Sequence, residues 1–532
     1  MYDLLIHNAE IVDGTRAPAY RGDVAVQGDR IAAIGALGGA QAETTLDAAG
    51  RTLVPGFIDA HSHADLALFA APQGASLVHQ GITTVVGGQC GLSPAPMTRA
   101  NRREALSTIN AIGAPKAAMP WKTLSTFAGY LAQLEQLGPA VNVAPLVGQG
   151  MVRSAVIGYG MDAPDAGQIE RMQALVREAM EAGAFGISSG LIYPPGSFTP
   201  TEELIEVVRP LRDYGGLYFS HIRGESETLL DAIQEAIEIG RQAGVGVEIC
   251  HLKAAGKAHW DKAPQALALI ERARDEGLDV TADMYPYTAG ATHLAVLMPK
   301  WAIAGGFFKA LSQLLLPWRR ARIIREMKAG TGGLVGQIPW DQVWIVRSSK
   351  PEYLFKSIAD LAAAEDKDPY NWTLDALLKT RGNVAILIEL MSEGNVRLQL
   401  AHEATMIGTD GFSQATEGPM ATGMLHPRNF GTYPKLLGRY VRELGLLSLP
   451  EAVWKSTGFP AHKLGLSDRG RIRAGAKADL VLFHPDTIAD RGTYTDPLHY
   501  PAGIEYVWVN GRAVIEQGQQ TDARPGEVLR RA

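Results

Sequence analysis

Short apolar runs alternate with longer amphipathic stretches through most of this 532-residue chain, and nearly every run ends on a polar residue. The runs cover residues 54–59, 83–86, 141–147, 185–189, 217–220, 245–250, 280–284 and 405–409. Between them lie stretches such as 166–182, 229–243 and 266–276, with apolar residues at helical spacing. Strand-length runs joined by helix-length stretches describe βαβ units, and eight of them predict an α/β fold of the TIM-like (β/α)8 barrel type. The polar endings are His61, Cys90, Ser188, His221, His251, Tyr285 and Asp410. In such a barrel the strands' C-terminal ends form the face where active sites are built.

The two ends of the chain have a different texture. Residues 2–53 hold short β-like pieces such as Leu4-Leu5-Ile6, Asp23-Val24-Ala25-Val26 and Arg30-Ile31-Ala32-Ala33-Ile34, punctuated by turn residues, and residues 478–483 and 507–514 repeat it. This predicts a small β-sandwich domain from residues 1–54 and 470–532, around a catalytic barrel at 55–469. A ninth strand candidate, 384–388, exceeds what a closed barrel needs and is read as an extra strand in an insertion before the last barrel strand. Residues 294–383 are that insertion. Its opening, 301–320, mixes apolar and aromatic residues and ends in bases. That reads as an amphipathic lid helix over the barrel mouth, or, more sharply, as a contact with a membrane surface or a second copy of the chain.

Composition narrows the classes of function. With 46% hydrophobic and 20% charged residues, extended disorder and coiled coil are ruled out, and a net charge of −6 without a basic tract argues against a nucleic-acid partner. Cys90 and Cys250 are the only cysteines, which excludes a disulfide scaffold and suits a reducing compartment. The first ten residues lack signal-peptide order, and no run of 18 uncharged apolar residues occurs; the expectation is a cytoplasmic protein.

Several residues carry chemistry. In Asp59-Ala60-His61-Ser62-His63, two histidines two positions apart can present imidazoles to one ion from the same side of a strand. His221 and His251 close equivalent runs; singly each would read as a structural group, but four imidazoles at one barrel face describe a zinc-type site. Cys90 lies in the glycine-rich turn Gly87-Gly88-Gln89-Cys90-Gly91, which lets the backbone approach closely, and a thiolate beside a divalent metal is a natural ligand. The alternative is a buried inert thiol, the reading kept for Cys250. Asp410, before Gly411, is either a turn residue or the general base opposite a metal. Arg428, behind the stiff His426-Pro427, can grip a carboxylate with its planar guanidinium.

Three segments resemble the amidohydrolase superfamily: Leu5 to Gly14, Pro55 to His63, and Gly475-Ala476-Lys477-Ala478-Asp479-Leu480-Val481. Within it, Gly87 to Gly91, Gly186 to Gly196, Ser220-His221-Ile222-Arg223, His251-Leu252-Lys253 and His426-Pro427-Arg428 resemble the N-acyl-D-amino-acid deacylase (D-aminoacylase) family. The likeness runs over nearly the whole chain outside 294–383. It implies that Cys90, His221 and His251 hold a tightly bound zinc, and that His61 and His63, with Cys90 and Asp410, form a second and weaker metal position. It also implies Asp410 as catalytic acid/base, Tyr193 as the group that polarises the scissile carbonyl, and Lys253, Tyr287 and Arg428 as holders of the substrate carboxylate. Ser188, inside the resembling 186–196 segment, is counted among the substrate-binding residues. No lysine stands where other amidohydrolases carry a carboxylated one, which fits Cys90 as its substitute.

The expected function is zinc-dependent hydrolysis of the amide of N-acyl-D-amino acids, with metal-activated water as nucleophile and Asp410 moving the proton. D-selectivity comes from the resemblance alone. The alternative in the same class is a cyclic-amide hydrolase of hydantoinase or dihydroorotase type, which wants the carboxylated lysine and needs Arg428 less. A binding protein without catalysis would have lost a ligand or the aspartate, and neither is missing. The sequence leaves the amino-acid side chain, acyl length, number of metals and homo-oligomer formation open.

Overall fold

Apolar residues crowded into short runs form strands here, and their pairing sorts them into sheets of different kinds. The protein is described by a computed structural model at residues 1–111, 118–330 and 339–531. Its first five strands are β1 (Tyr2–Ile11), β2 (Tyr20–Gln27), β3 (Arg30–Gly35), β4 (Ala42–Asp47) and β5 (Thr52–Pro55). β1 pairs antiparallel with β2 and parallel with both β4 and β5. Strand β6 (Phe57–Asp59) follows after Gly56 alone, in another sheet. The run 54–59, expected as one strand, is therefore shared between two sheets. Gly56 is where they part: a Cβ there would lie 2.1 Å from Thr83 Oγ1.

Parallel strands then accumulate in two arcs. β6, β7 (Ile82–Gly87) and β8 (Asn142–Pro145) form the first. The second runs β9 (Val147–Gly148), β10 (Gly186–Gly190), β11 (Leu217–His221), β12 (Gly246–Ile249), β13 (Val280–Met284) and finally β17 (Thr405–Ile407). Leu146 alone separates β8 from β9. At the other junction Ala60 N donates to Ile407 O at 3.2 Å and Asp410 N to His61 O at 2.8 Å. Helices connect successive strands as the sequence pattern predicts. Ala166–Glu181 precedes β10 and opens with a capping box, in which Asp165 and Gln168 each accept from the other's backbone N–H. Leu229–Ala243 and Lys262–Asp275 flank β12 and bury one apolar face each.

Between β13 and β17 a three-stranded antiparallel sheet intervenes, in the order β14 (Ala289–His293), β16 (Val384–Glu389), β15 (Val343–Ser348). The extra run 384–388 is its central strand. Residues 301–320, expected as one amphipathic helix, instead contribute to three helices, Lys300–Ile303, Phe307–Leu314 and Pro317–Lys328. Gly305 and Gly306 take left-handed backbone (φ 84 and 93), and Pro317 can only begin a helix. Leu315 and Trp318 are exposed at 69% and 63%. The middle helix is tied to helix Arg102–Ala111: Phe307 N donates to Glu104 Oε2 at 2.8 Å, and the Arg103 guanidinium lies 3.9 Å over the Phe308 ring.

The last strands, β18 (Leu480–Phe483), β19 (Ile504–Val509), β20 (Arg512–Glu516) and β21 (Gln519–Gln520), return to the first sheet, where β18 pairs antiparallel with β5. The nine strands so joined bury a separate core that includes Ile6, Ile11, Val24, Leu53, Leu480 and Trp508. Among the described residues no helix is long and apolar enough to cross a membrane.

Candidate active site

The C-terminal ends of the parallel strands converge on one cavity. The glycine turn after β7 carries Cys90 into its floor, where Cys90 Sγ lies 3.4 Å from His61 Nε2, 3.4 Å from His221 Nδ1 and 3.5 Å from His251 Nε2. Asp410 closes the group: its Oδ1 is 3.3 Å from His63 Nε2 and 3.7 Å from His61 Nε2. All five sequence-predicted metal residues and Asp410 thus gather in one cluster, every one of them buried. A tetrahedral zinc about 2.0–2.1 Å from nitrogen and about 2.3 Å from sulfur separates those donors by about 3.5 Å, so the spacing fits such an ion.

Electrostatics points the same way. Burial alone would raise the Cys90 thiol, but His61 and His221 hold it well below its usual value, toward thiolate. His63 would be lowered by burial, yet Asp410 and Cys90 push it up to about 9. Burial also opposes the charge on Asp410, and Arg428, His251 and His63 outweigh it, keeping the carboxyl well below its usual range. Negative charge concentrated on sulfur and carboxylate, ringed by imidazoles, suits a cation. Cys250 differs: burial raises its thiol well above the usual value, and it donates to Gln89 Oε1 at 3.7 Å, its sulfur lying within 4.8 Å of His61 and Asp283.

Two residues behind the donors were not singled out by sequence reasoning. Asp283, inside β13, takes His61 Nδ1 at 3.2 Å and accepts from His251 N at 2.8 Å, orienting two of the clustered histidines at once. Its signal was an acid within an apolar strand. Glu225 accepts from Lys253 Nζ at 2.6 Å, and the same Oε1 stands 3.4 Å from His251 Nδ1 and 3.5 Å from His221 Nε2. Despite burial, Lys253 and His221 keep Glu225 well below the usual carboxylate range. Its signal, a carboxylate four residues after a strand-end histidine, is weak.

Lys253 and Arg428 line the same cavity together with Tyr285, and Lys253 Nζ stands 2.7 Å from His251 Nδ1. Arg428 Nη1 pairs with Asp410 Oδ2 at 2.8 Å, and its guanidinium lies 4.8 Å over the Tyr285 ring. Tyr193 lines the cavity beside His221, its hydroxyl 3.1 Å from Thr292 Oγ1. Two predicted residues are placed elsewhere. Tyr287 donates to Asp490 Oδ2 at 3.3 Å, behind the wall; Tyr285 takes the cavity position, and its hydroxyl has no partner among the described residues. Ser188 donates to Gly88 O and accepts from Gly91 N at 2.9 Å, so its hydroxyl shapes the Cys90 turn and does not face substrate.

Comparison with known proteins agrees with this geometry. The amidohydrolase family model matches residues 44–305 and 353–515. The chain is 37% identical to D-aminoacylase of Alcaligenes xylosoxydans xylosoxydans, over 100% of this chain and 98% of that protein. It is also 37% identical to N-acyl-D-glutamate deacylase of the same organism, over 99% of this chain and 96% of that protein. A solved structure of N-acyl-D-glutamate deacylase from Bordetella bronchiseptica, complexed with zinc and a phosphonate inhibitor mimicking the reaction's tetrahedral intermediate, superposes with a TM-score of 0.83 at 33% identity over 99% of both chains. With its donor set, its acid and its cationic wall in one cavity, the chain belongs to the amidohydrolase family, in the branch of the N-acyl-D-amino-acid deacylases.

Proposed function

We propose that the protein hydrolyses the amide bond of N-acyl-D-amino acids with zinc as its cofactor. The observation that carries this reading is Cys90 Sγ in reach of three imidazole nitrogens, with Asp410 beside them and Lys253 and Arg428 at the edge of the same cluster. Cys90, His221 and His251 would hold a first metal, and His61 and His63, with Cys90 and Asp410, a second, weaker one. A divalent metal there supplies Lewis acidity toward the carbonyl and lowers the pKa of water.

The chain's own groups do the rest. Ionised Asp410 accepts a proton from the attacking water and returns it to the departing amine. Tyr193, kept protonated by burial and by the charge on Cys90, donates a hydrogen bond to the carbonyl oxygen as charge develops there. Lys253 and Arg428 grip the α-carboxylate, with the free Tyr285 hydroxyl beside them. Lys253 is held as an ammonium by Glu225, so it is not the neutral amine that would carry a carboxyl group in a cyclic-amide hydrolase. A cationic wall, moreover, serves a substrate with a free carboxylate. Lys253 and Arg428 are the only lysine and arginine among the described lining residues, and Ile388, Leu390, Phe412 and Met424 also line the cavity; neutral, apolar D-side chains fit it better than acidic ones.

Asp410→Asn should lower kcat by about 10²–10⁴-fold while the first zinc, assigned to Cys90, His221 and His251, stays bound by metal analysis. Full activity in that variant would sink the mechanism. A panel of N-acyl D- and L-amino acids should show turnover of D-leucine and D-methionine derivatives over D-glutamate and over every L-form.

The two parallel arcs are read as one closed (β/α)8 barrel over 55–469, supported by the Ala60–Ile407 and His61–Asp410 backbone bonds. The terminal sheet, curled around its own core, is read as the β-sandwich of 1–54 and 470–532, and 294–383 as an insertion at the barrel mouth. Two unbridged thiols, one of them among the metal donors, support a cytoplasmic location.

A further inference from the structure

We propose that the acyl group of the substrate enters a second, apolar cavity beyond Tyr193, so that the enzyme prefers acyl groups longer than acetyl. The inference rests on the deacylase reading above and adds to it the class of acyl group.

The second cavity is walled by Tyr159, Ala295, Ile303 and Phe307, and it shares Tyr193, His293 and Thr108 with the active-site cavity. No aspartate, glutamate, lysine or arginine lines it among the described residues. His293, at the junction, is pushed down to about 4 by burial and adds no charge at neutral pH. Its walls come from separate parts of the chain. Helix Arg102–Ala111 supplies Thr108; Tyr159 lies in the loop before helix Ala166–Glu181, its carbonyl accepting from Gly305 N at 2.8 Å; helix Phe307–Leu314 supplies Phe307. Phe307 fits only because residue 382 is glycine: a Cβ there would fall 1.4 Å from the ring's Cζ. Glu104 holds Phe307 by its backbone N–H, so this wall is fixed to the rim of the site.

The order of groups in the substrate decides which part enters. In a linear N-acyl amino acid the scissile carbon stands between the acyl chain on one side and the nitrogen, Cα and carboxylate on the other. Lys253 and Arg428 line the first cavity and not the second, whereas Tyr193 lines both. With the carboxylate at the two cations and the carbonyl at Tyr193, the acyl chain points into the second cavity. The amino-acid side chain stays on the near side, against Ile388, Leu390 and Met424.

The test is a ladder of N-acetyl-, N-butanoyl-, N-hexanoyl- and N-octanoyl-D-leucine with the zinc-loaded full-length protein. Burial of a methylene predicts that kcat/KM rises about three- to fourfold for each one added until the cavity is full. Ile303→Trp, which fills the cavity, should lower the ratio of hexanoyl to acetyl kcat/KM at least about tenfold. A flat ladder, or one falling from acetyl, with acetyl-D-leucine still cleaved, overturns the acyl assignment and leaves the deacylase reading standing. An Ile303→Trp enzyme that keeps the ladder but changes its ranking of D-side chains also overturns it, by showing that the cavity takes the side chain. Failure to cleave any N-acyl-D-amino acid overturns both readings. The native ladder decides without a variant, should Ile303→Trp not fold.

Discussion

Three site residues lie on backbone that favours glycine: Cys90 (φ 54), His251 (φ 34) and Asp410 (φ 48). Each follows the end of a parallel strand, and the left-handed turn swings its side chain over the mouth at a cost of about 1–2 kcal/mol per residue. Such strain persists where the surroundings over-determine it, and here the Asp283 and Glu225 carboxylates brace the imidazoles from behind. Glu225→Gln should weaken zinc retention or lower kcat/KM about 10–100-fold, as loss of a hydrogen-bonded ligand partner does. Competition with a chelator, followed by zinc analysis, measures it; unchanged retention and unchanged kcat/KM together would rule that role out. That these side chains gather at one place was legible from sequence because histidine, cysteine and aspartate are scarce at the ends of apolar strands. Tyr287 was misplaced for a local reason. Side chains two apart share a side only while a strand continues, and β13 stops at Met284; Tyr287 N then donates to Tyr285 O at 2.9 Å in a tight turn that sends the two rings apart.

At the scale of elements, the glycine turn after β7 has little freedom. Gly88 has φ 82, and a Cβ there would lie 2.0 Å from Leu146 O. Gly88→Ala should therefore lower stability by at least about 1–2 kcal/mol and leave zinc below one per chain; thermal unfolding with metal analysis would show both, and a variant with native zinc content would mean the turn is not what seats Cys90. Strand positions were readable because buried parallel strands are continuous apolar runs, and helices because one face repeats every three to four residues. Two features were not. The break between β5 and β6 depends on a close approach to Thr83, which is 27 residues farther along the chain. The division of 301–320 into three helices turns on Gly305-Gly306 and Pro317, whose effect an apolar and aromatic composition masks.

At the scale of the whole molecule, the terminal sheet and the parallel strands are fastened together at Asp479. Its carboxylate pairs with Arg469 and accepts from Asn510 N at 2.7 Å and from Asn142 Nδ2 of β8 at 3.2 Å, while its carbonyl accepts from Gly56 N at 2.8 Å. That the two ends of the chain would pair in one sheet was legible in their common β texture; which strands touch was not, because pairing partners so distant leave no local trace. The β5–β18 seam has a consequence for synthesis. At about 5–20 residues per second, the ribosome needs tens of seconds to make the more than four hundred residues between them. Throughout that time β5 offers an unpaired edge at the growing chain's folded front, a template for wrong partners and a natural place for a chaperone. Ribosome-stalled chains ending before Leu480 should leave residues 52–55 open to protease, and chains that have released residue 520 should protect them; protection in the shorter chains would show that β5 finds another partner first.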